Sequence, residues 1–350
     1  PKIWRPIEAP QVALDYTRRQ WYVGDTTGQG FEHIARWMIP KHIPKLYLEG
    51  YGRLQEQMRD LPWPKKPRLI FTSNSYNSDD VFKAWAAEKV EVGVPFVIGQ
   101  HGGNFGAALW GFTEDHQVEV SDVWLSWGWD DPDNTKIKPC GNLKIIQCAE
   151  GWDPTGQALL VGMTRARYSY YMCSAPVASQ WLDYFEDQCR FTIGLPEYIR
   201  RQLLVRLYSY DYGWCQKLRW QDRFPDVRLD DSTTPMSSLI KRSRLYISTY
   251  NATTFLESLS LNIPTIMFWN PRHWELRDAA IPYFDRLREV GIFHENPESA
   301  TAKVAEIWDN VPGWWNQPAI HEARTYFCQR FSRTAENTLD ILRNALVAIA

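Results

Sequence analysis

Short apolar runs that end abruptly in polar or glycine-rich segments recur along this chain of 350 residues, and they constrain its fold more than any other feature. Such runs occupy 95–99, 158–163, 244–248 and 264–268. Stretches in which apolar residues follow helical spacing lie between several of these runs. Alternation of this kind predicts parallel sheets with helical crossovers, and therefore an α/β protein.

The length and one polar stretch predict two domains. A chain of 350 residues is long for a single core. The segment 130–139, DDPDNTKIKP, is the best candidate for a linker. We therefore predict two Rossmann-like domains that face each other across a cleft, followed by a helix that packs back; a lone α/β domain with helical decoration is the alternative. The predicted bounds are 1–140 for the first domain, 141–325 for the second domain and 326–350 for the C-terminal helix.

The pattern of apolar residues also predicts several individual elements. Residues 29–60 and 80–92 are expected to be helical, and 320–349 is expected to form one long helix. Residues 118–127 have the composition of a strand, with a loop before them.

A glycine-rich loop follows the apolar run that ends at residue 99. Its polar members are Gln100 and His101, and Gly102, Gly103 and Gly106 allow backbone N–H groups to approach an anion closely. The alternative interpretation is a tight turn with an exposed histidine. We expect Gln100, His101, Gly102 and Gly103 to contribute to a binding site at the carboxyl edge of the sheet.

A second motif follows the run 244–248. Asn251, Thr253 and Thr254 stand where a helix begins, so the free N–H groups of its first turn and the two hydroxyls are suited to a phosphate. Glu257 lies one turn further on, where its carboxylate can accept the hydroxyls of a ribose. A capping box, with Asn251 or Thr253 as the N-cap, explains the spacing equally well.

Three arginines are expected at the same sheet edge. Arg165 and Arg167 follow the run 158–163, and Arg206 lies in a later predicted strand. An arginine at the end of a strand can hold a diphosphate or a carboxylate through two hydrogen bonds. Each could instead be a surface charge.

Carboxylates near the glycine loop are the candidates for chemistry. Glu114, Asp115 and Glu119 lie in the predicted loop, and His101 is close in sequence. A base or nucleophile at the anomeric carbon is what sugar transfer requires, and Glu114 is the first choice. The alternative is a solvated acidic turn. We expect no metal and no cofactor, because metal-ligand spacings and the common nucleotide-binding glycine motifs are missing from the sequence.

Composition limits the possible partners. The net charge of −2 argues against nucleic acid. The six cysteines show no paired spacing, and no apolar run approaches 18 residues, so we expect a cytoplasmic protein whose contact with the inner membrane or with other assembly enzymes is peripheral.

Three segments carry a resemblance to a known family. The chain resembles the transferases of bacterial surface-polysaccharide (O-antigen) gene clusters, which are similar to GT-B glycosyltransferases and to the retaining β-Kdo transferases that use a CMP-linked donor. The resemblance implies that the acceptor binds the domain 1–140 and the nucleotide-sugar the domain 141–325. It also implies that Thr253, Thr254 and Glu257 hold the phosphate and ribose of the donor. Fewer strands precede residue 95 than such a domain requires, so strands upstream of Pro1 or a reduced domain are expected. The segments are FKAWAAEKVEVGVPFVIGQHGGNFG, TEDHQVEVSDVWLSWGW and YISTYNATTFLESLSLNIPTIMFW.

These observations predict a metal-independent glycosyltransferase. Its expected partners are a nucleotide-sugar donor, with Kdo or a related sugar on CMP, and a glycan acceptor. The first alternative is a CDP-polyol phosphotransferase of the teichoic-acid type, in which His101 would serve the attacking side. The second is a glycan-binding module without enzymatic activity, in which aromatic side chains form the functional surface.

Overall fold

The computed structural model describes residues 8–24, 29–145, 151–168 and 173–350. The chain forms two compact units. The first unit is Pro1–Val97 with Ile349–Ala350, and the second is Ile98–Ala348.

The first unit is mainly helical. The region 29–60, predicted to be helical, forms three helices because Pro44 and Gly50 lie at the breaks. Helix α5 begins after Asp79, whose carboxylate accepts a hydrogen bond of 2.9 Å from the N–H of Phe82. The elements are α1 (Gly30–His42), α2 (Lys45–Leu48), α3 (Tyr51–Arg59), β1 (Ile70–Thr72), α4 (Ser75–Ser78) and α5 (Asp80–Val90).

A four-stranded sheet has the order β1-β2-β3-β4. Strand β2 (Phe96–Gly99) lies at the boundary between the units, and β3 (Val123–Ser126) pairs in parallel with β4 (Ile137–Pro139). The prediction of a loop at 113–119 and a strand from 118 is wrong, because helix α6 (Phe112–Val120) occupies this segment. The apolar residues of this segment fit the spacing of a helix as well as that of a strand. The helix buries Val118, and the strand begins only after Ser121.

The second sheet is parallel and has six strands in the order β10-β9-β8-β5-β6-β7. The order reverses between β5 and β8, which are neighbours in space although two strands separate them in sequence. This is the strand order of a Rossmann fold, and ligands bind such sheets where the order reverses. The strands are β5 (Gln157–Val161), β6 (Leu203–Arg206), β7 (Arg228–Asp230), β8 (Ser243–Ser248), β9 (Thr265–Phe268) and β10 (Phe293–His294).

Helices surround this sheet, and its central strands are buried. The predicted helix over 320–349 is interrupted at 332–337, where Ser332 has an extended φ of −156°. The backbone there bonds elsewhere: the N–H of Arg333 donates to the carbonyl of Trp127 at 2.7 Å. The helices are α7 (Gln180–Gly194), α8 (Glu197–Arg200), α9 (Gln216–Arg223), α10 (Met236–Lys241), α11 (Thr253–Ser260), α12 (Ile281–Glu289), α13 (Pro297–Ile307), α14 (Val311–Trp315), α15 (Pro318–Phe331) and α16 (Thr338–Ile349).

The segment 98–142 is bonded to later parts of the second unit. The N–H of Leu109 donates to the carbonyl of Glu275 at 2.9 Å, and that of Asn142 donates to the carbonyl of Arg333 at 2.7 Å. The two compact units therefore divide after residue 97. The domain bounds at 140 and 325 stay predictions, and so does the cleft between the domains. Within the described ranges, no helix is long and apolar enough to cross a membrane. The five cysteines at described positions are free thiols, and Cys148 lies outside those positions.

Candidate functional site

A cavity of about 550 Å³ lies where the strand order of the six-stranded sheet reverses. Loops that follow β5, β6 and β8 supply most of its wall, because the carboxyl ends of parallel strands meet at one edge. The glycine-rich loop completes it. We call it the switch-point cavity; its lining is Gly103, Asn104, Met163, Thr164, Arg165, Ala166, Tyr208, Tyr212, Tyr250, Asn251, Ala252 and Trp274.

The structure joins the two motifs that the sequence singled out. The N–H of Gly103 donates a hydrogen bond of 2.7 Å to the hydroxyl of Thr253. Gly102 has a φ of +148°, and a Cβ there would lie 2.5 Å from the same hydroxyl oxygen. Glycine is therefore required at 102 by both its backbone angle and the close approach of α11. The Thr253 hydroxyl oxygen thus accepts a hydrogen bond from the glycine-rich loop, and its proton remains able to donate to a ligand.

The first turn of α11 has no side-chain cap from the described residues. The N-cap is Ala252, which has no polar side chain, and the Thr253 hydroxyl accepts from Gly103 instead. The capping-box alternative is therefore wrong. Helix N-termini carry partial positive charge and unsatisfied N–H groups, so this end of α11 is suited to an anion.

Asn251 is the most unusual side chain in the lining. It is 2% exposed, and neither its amide nitrogen nor its carbonyl oxygen has a hydrogen-bond partner in the described part of the chain. A buried polar group without a partner costs about 1–3 kcal/mol. A ligand in the cavity would supply the missing partners.

Thr254 and Glu257, both in α11, already have partners within the protein. The Tyr246 hydroxyl donates to the Thr254 hydroxyl oxygen at 2.7 Å, and the Tyr250 hydroxyl lies 3.0 Å from the same atom. Burial raises the pKa of Tyr250 to about 12, so it remains protonated and able to donate. Glu257 forms an ion pair with Lys144, which a ribose would have to share or displace.

The three predicted arginines have different surroundings. Arg165 lines the cavity, and its guanidinium has no hydrogen bond or ion pair with any residue that the structure describes. Arg167 is exposed and lies over the Trp214 ring at 5.3 Å. Arg206 forms an ion pair with Asp230 on the neighbouring strand β7 and is not among the lining residues. Of these three arginines, Arg165 is thus the one that lines the cavity without a partner among the described residues, while the charge of Arg206 is already balanced.

Gln100 is occupied by the segment that follows β3. Its side-chain oxygen accepts hydrogen bonds from the Trp127 N–H at 2.8 Å and from the Trp129 indole at 3.1 Å. Its backbone oxygen accepts from the Trp127 indole at 2.9 Å. These bonds fix the path of the chain into the glycine-rich loop, so Gln100 positions the loop rather than lining the cavity.

Glu114 is buried and held at both oxygens. One oxygen accepts from the Gly106 N–H at 2.6 Å and the other from Arg277 at 2.7 Å. Burial raises the pKa of the carboxyl, although Arg277 and the Gly106 N–H act in the opposite direction. This arrangement ties the glycine-rich loop to the loop that follows β9. The role of Glu114 in the chemical step stays a prediction.

A second cavity of about 500 Å³ contains the predicted carboxylates. Glu114, Asp115 and Glu119 line it together with Lys136 and Arg277, and it shares no lining residue with the switch-point cavity. The His101 ring lies edge-on to Phe105 at 5.4 Å, and His101 lines neither cavity. The described residues include no group of three or more His, Cys, Asp or Glu side chains placed to hold a metal ion.

Several lining residues were missed in the sequence. Tyr208 and Tyr212 lie in the segment that follows β6, so their position after a strand could have identified them. Trp274 comes from the loop after β9, and nothing in the local pattern distinguishes it from a core residue.

A family model described as "LIC12162 family transferase" matches residues 2–346. The match spans nearly the whole sequence, so the chain belongs to this family of transferases. The comparison with curated proteins found no match.

Solved structures with a similar chain path include MurG, WaaG and a UDP-GlcNAc 2-epimerase. MurG of Acinetobacter baumannii is 13% identical, with a TM-score of 0.45 and coverage of 92% of this chain and 89% of that one. WaaG, a glycosyltransferase involved in lipopolysaccharide biosynthesis, is 11% identical, with a TM-score of 0.41 and coverage of 86% and 82%. UDP-GlcNAc 2-epimerase of Neisseria meningitidis, bound to UDP-GlcNAc, is 12% identical, with a TM-score of 0.45 and coverage of 91% and 90%. At these scores the likeness carries no argument about the reaction.

Proposed function

We propose that this member of the LIC12162 family of transferases is a glycosyltransferase that binds a nucleotide-sugar donor in the switch-point cavity. The observation that carries the proposal is the buried and unpartnered Asn251 beside the uncapped N-terminus of α11. Arg165, without an ion pair among the described residues, adds a positive charge to the same cavity. A nucleotide offers both the phosphate that this positive end attracts and the polar edges that Asn251 lacks.

The proposed chemistry needs stabilisation of a leaving phosphate. When the bond between the anomeric carbon and the phosphate oxygen breaks, negative charge develops on that oxygen. The first-turn N–H groups of α11 and the guanidinium of Arg165 are fixed donors for such charge. We therefore propose that transfer proceeds without a metal ion, and that a chelator leaves turnover unchanged.

The finer specificity rests on the sequence resemblance. We propose Kdo or a related sugar carried on CMP as the donor, and a surface polysaccharide or lipopolysaccharide glycan as the acceptor. Activity at the cytoplasmic face of the membrane, through peripheral contact, is part of the same proposal.

A base or nucleophile is still required, and it is proposed to be one of the carboxylates of the second cavity. Asp115 and Glu119 are exposed there, whereas both oxygens of Glu114 are engaged. We expect Glu114→Gln to lower the melting temperature because it removes the charge that pairs with Arg277. A fall in turnover of about 100-fold or more at an unchanged melting temperature would instead assign Glu114 to the chemical step. Asp115→Asn and Glu119→Gln, compared in the same way, identify the group if Glu114 does not.

The experiment that tests the function offers the protein CMP-, UDP- and CDP-linked donors with a glycan acceptor and follows the products by mass spectrometry. A glycosyltransferase adds the mass of a sugar to the acceptor and releases the nucleotide. Addition of a polyol phosphate from a CDP-polyol would support the phosphotransferase alternative, for which TYNATTFLE is the motive. Sugar binding without any nucleotide binding or turnover would support a glycan-binding module and reject the proposal.

A further inference from the structure

The loop between β6 and α9 presents three tyrosines at the edge of the switch-point cavity. Tyr208, Tyr210 and Tyr212 are 41%, 67% and 46% exposed. The rings of Tyr208 and Tyr212 are near-parallel, at 23° with centroids 6.4 Å apart, and both line the cavity, whereas Tyr210 does not. Two near-parallel, exposed aromatic rings thus lie at the edge of a polar cavity.

The backbone of this loop is held in an uncommon conformation. Tyr212 and Cys215 have φ of +52° and +53°, in the left-handed region that bulky side chains rarely adopt. Such residues persist where the surroundings impose them, and they are frequent at binding sites. The left-handed backbone conformation at Tyr212 therefore orients a residue whose ring lines the cavity.

Hydrogen bonds explain how the loop keeps this shape. Both carboxylate oxygens of Asp211 accept from the start of α9, at 2.8 Å from the Cys215 N–H and 2.7 Å from the Gln216 N–H. The Gln216 side chain donates to the carbonyl of Tyr208 at 2.7 Å. The Trp214 indole donates to the carbonyl of Arg165 at 2.8 Å, which connects this loop to the one that follows β5. The tyrosine rings are therefore presented by a preorganised frame, which lowers the cost of binding.

The position of the rings in the sheet indicates what they bind. Strand β6 is the neighbour of β5 on the side away from β8, so two strand spacings, about 10 Å, are expected between the tyrosine loop and the N-terminus of α11. A nucleotide whose phosphate lies at α11 and whose ribose passes Asn251 would place its base at this loop. Aromatic rings stack on any nucleobase, because every base has a flat π-face.

We propose that Tyr208 and Tyr212 form the nucleobase subsite of the donor, with the base stacked on their rings. This inference rests on the proposed function, because it assigns one part of the same nucleotide. A nucleotide should bind more tightly than a sugar phosphate that lacks a base, and Tyr208 and Tyr212 should account for this difference in affinity. Asn251 and Arg165 should not contribute to the difference.

Titration calorimetry tests the subsite. CMP, UMP, AMP, GMP and ribose 5-phosphate are titrated into the wild-type protein, and the nucleotide that binds most tightly is then titrated into the variants. Tyr208→Leu and Tyr212→Leu should weaken its binding about tenfold or more, while the affinity for ribose 5-phosphate stays the same. Tyr212→Phe keeps the ring and should bind as the wild type does. Tyr210→Leu is the matched control, a tyrosine of the same loop that does not line the cavity, and should also bind as the wild type does.

The outcomes separate this inference from the proposed function. If a nucleotide binds but the leucine variants bind it equally well, or lose affinity for ribose 5-phosphate to the same degree, the base lies elsewhere and only the subsite is rejected. If none of the nucleotides binds the wild type, the nucleotide donor is rejected and the subsite with it. Melting temperatures of all variants are measured alongside, and a leucine variant that is unstable is replaced in the comparison by the other one.

Discussion

Replacing Asn251 with leucine should make the ligand-free protein more stable and unable to use its donor. The two side chains are similar in size, and Asn251 is 2% exposed with both polar atoms unpartnered in the described structure. Leucine removes the desolvation penalty of two unsatisfied atoms, so the free energy of unfolding should rise by about 1–3 kcal/mol. In a unit of this size each kcal/mol raises the melting temperature by about 2–4 °C. A polar residue that costs stability in the free protein is the expected signature of a binding group.

Asn142 provides the matched control. It is also buried, at 0% exposure, but its side-chain nitrogen donates to the Ser332 hydroxyl at 2.9 Å and its side-chain oxygen accepts from the Lys144 N–H at 2.9 Å. Asn142→Leu removes both bonds, each worth about 0.5–1.5 kcal/mol, so it should lower the free energy of unfolding by about 1–3 kcal/mol.

Urea unfolding of the wild type and both variants measures the two changes, and a thermal shift with added nucleotide measures binding. The expected result is opposite signs for the two substitutions, with the nucleotide-dependent shift lost in Asn251→Leu. If Asn251→Leu destabilises the protein as much as Asn142→Leu does, the carboxamide already has its partners in the folded chain, and the reasoning about a binding group fails.

Two further predictions concern the glycine-rich loop and the first unit. Gly106→Ala would place a Cβ 2.4 Å from the Trp129 ring at a φ of +74°, so it should lower the free energy of unfolding by several kcal/mol. The control Gly213→Ala, with a φ of +82° and no described atom within 4 Å of the Cβ, should cost only the backbone strain of about 1–2 kcal/mol. Equal losses for the two variants in urea unfolding would contradict the clash with Trp129. Arg19 lowers the pKa of the Glu49 carboxyl from its usual 4.5 to about 2, so this pair stabilises the fold above pH 4.5 and loses that contribution as the pH falls toward 2. Unfolding of Glu49→Gln across this range should lack that part of the pH dependence, and identical profiles for variant and wild type would show that the pair does not contribute.

The sequence predicted the strand ends from which the loops of the candidate site emerge. The runs 95–99, 158–163 and 244–248 correspond to β2, β5 and β8, and a hydrogen bond joins the glycine-rich loop to the start of α11. This succeeded because a buried parallel strand has a local signature and its carboxyl end has a fixed place in the sheet.

What the sequence did not reveal depended on long-range partners. Arg206 was expected at the same sheet edge as Arg165, and only the pairing of β6 with β7 brings Asp230 to its guanidinium. Glu114 was expected in a loop, but α6 buries it against Gly106 and Arg277, and the latter is 163 residues away in the sequence. Neither contact has a signature in the residues around it.

The most direct test of the account is an experimental structure of the protein with the nucleotide that binds it most tightly. The account predicts a phosphate within hydrogen-bonding distance of the first-turn N–H groups of α11 and of the Arg165 guanidinium, with the nucleotide also contacting the Asn251 carboxamide. A nucleotide seated away from the switch-point cavity, or an empty cavity at saturating nucleotide, would contradict it.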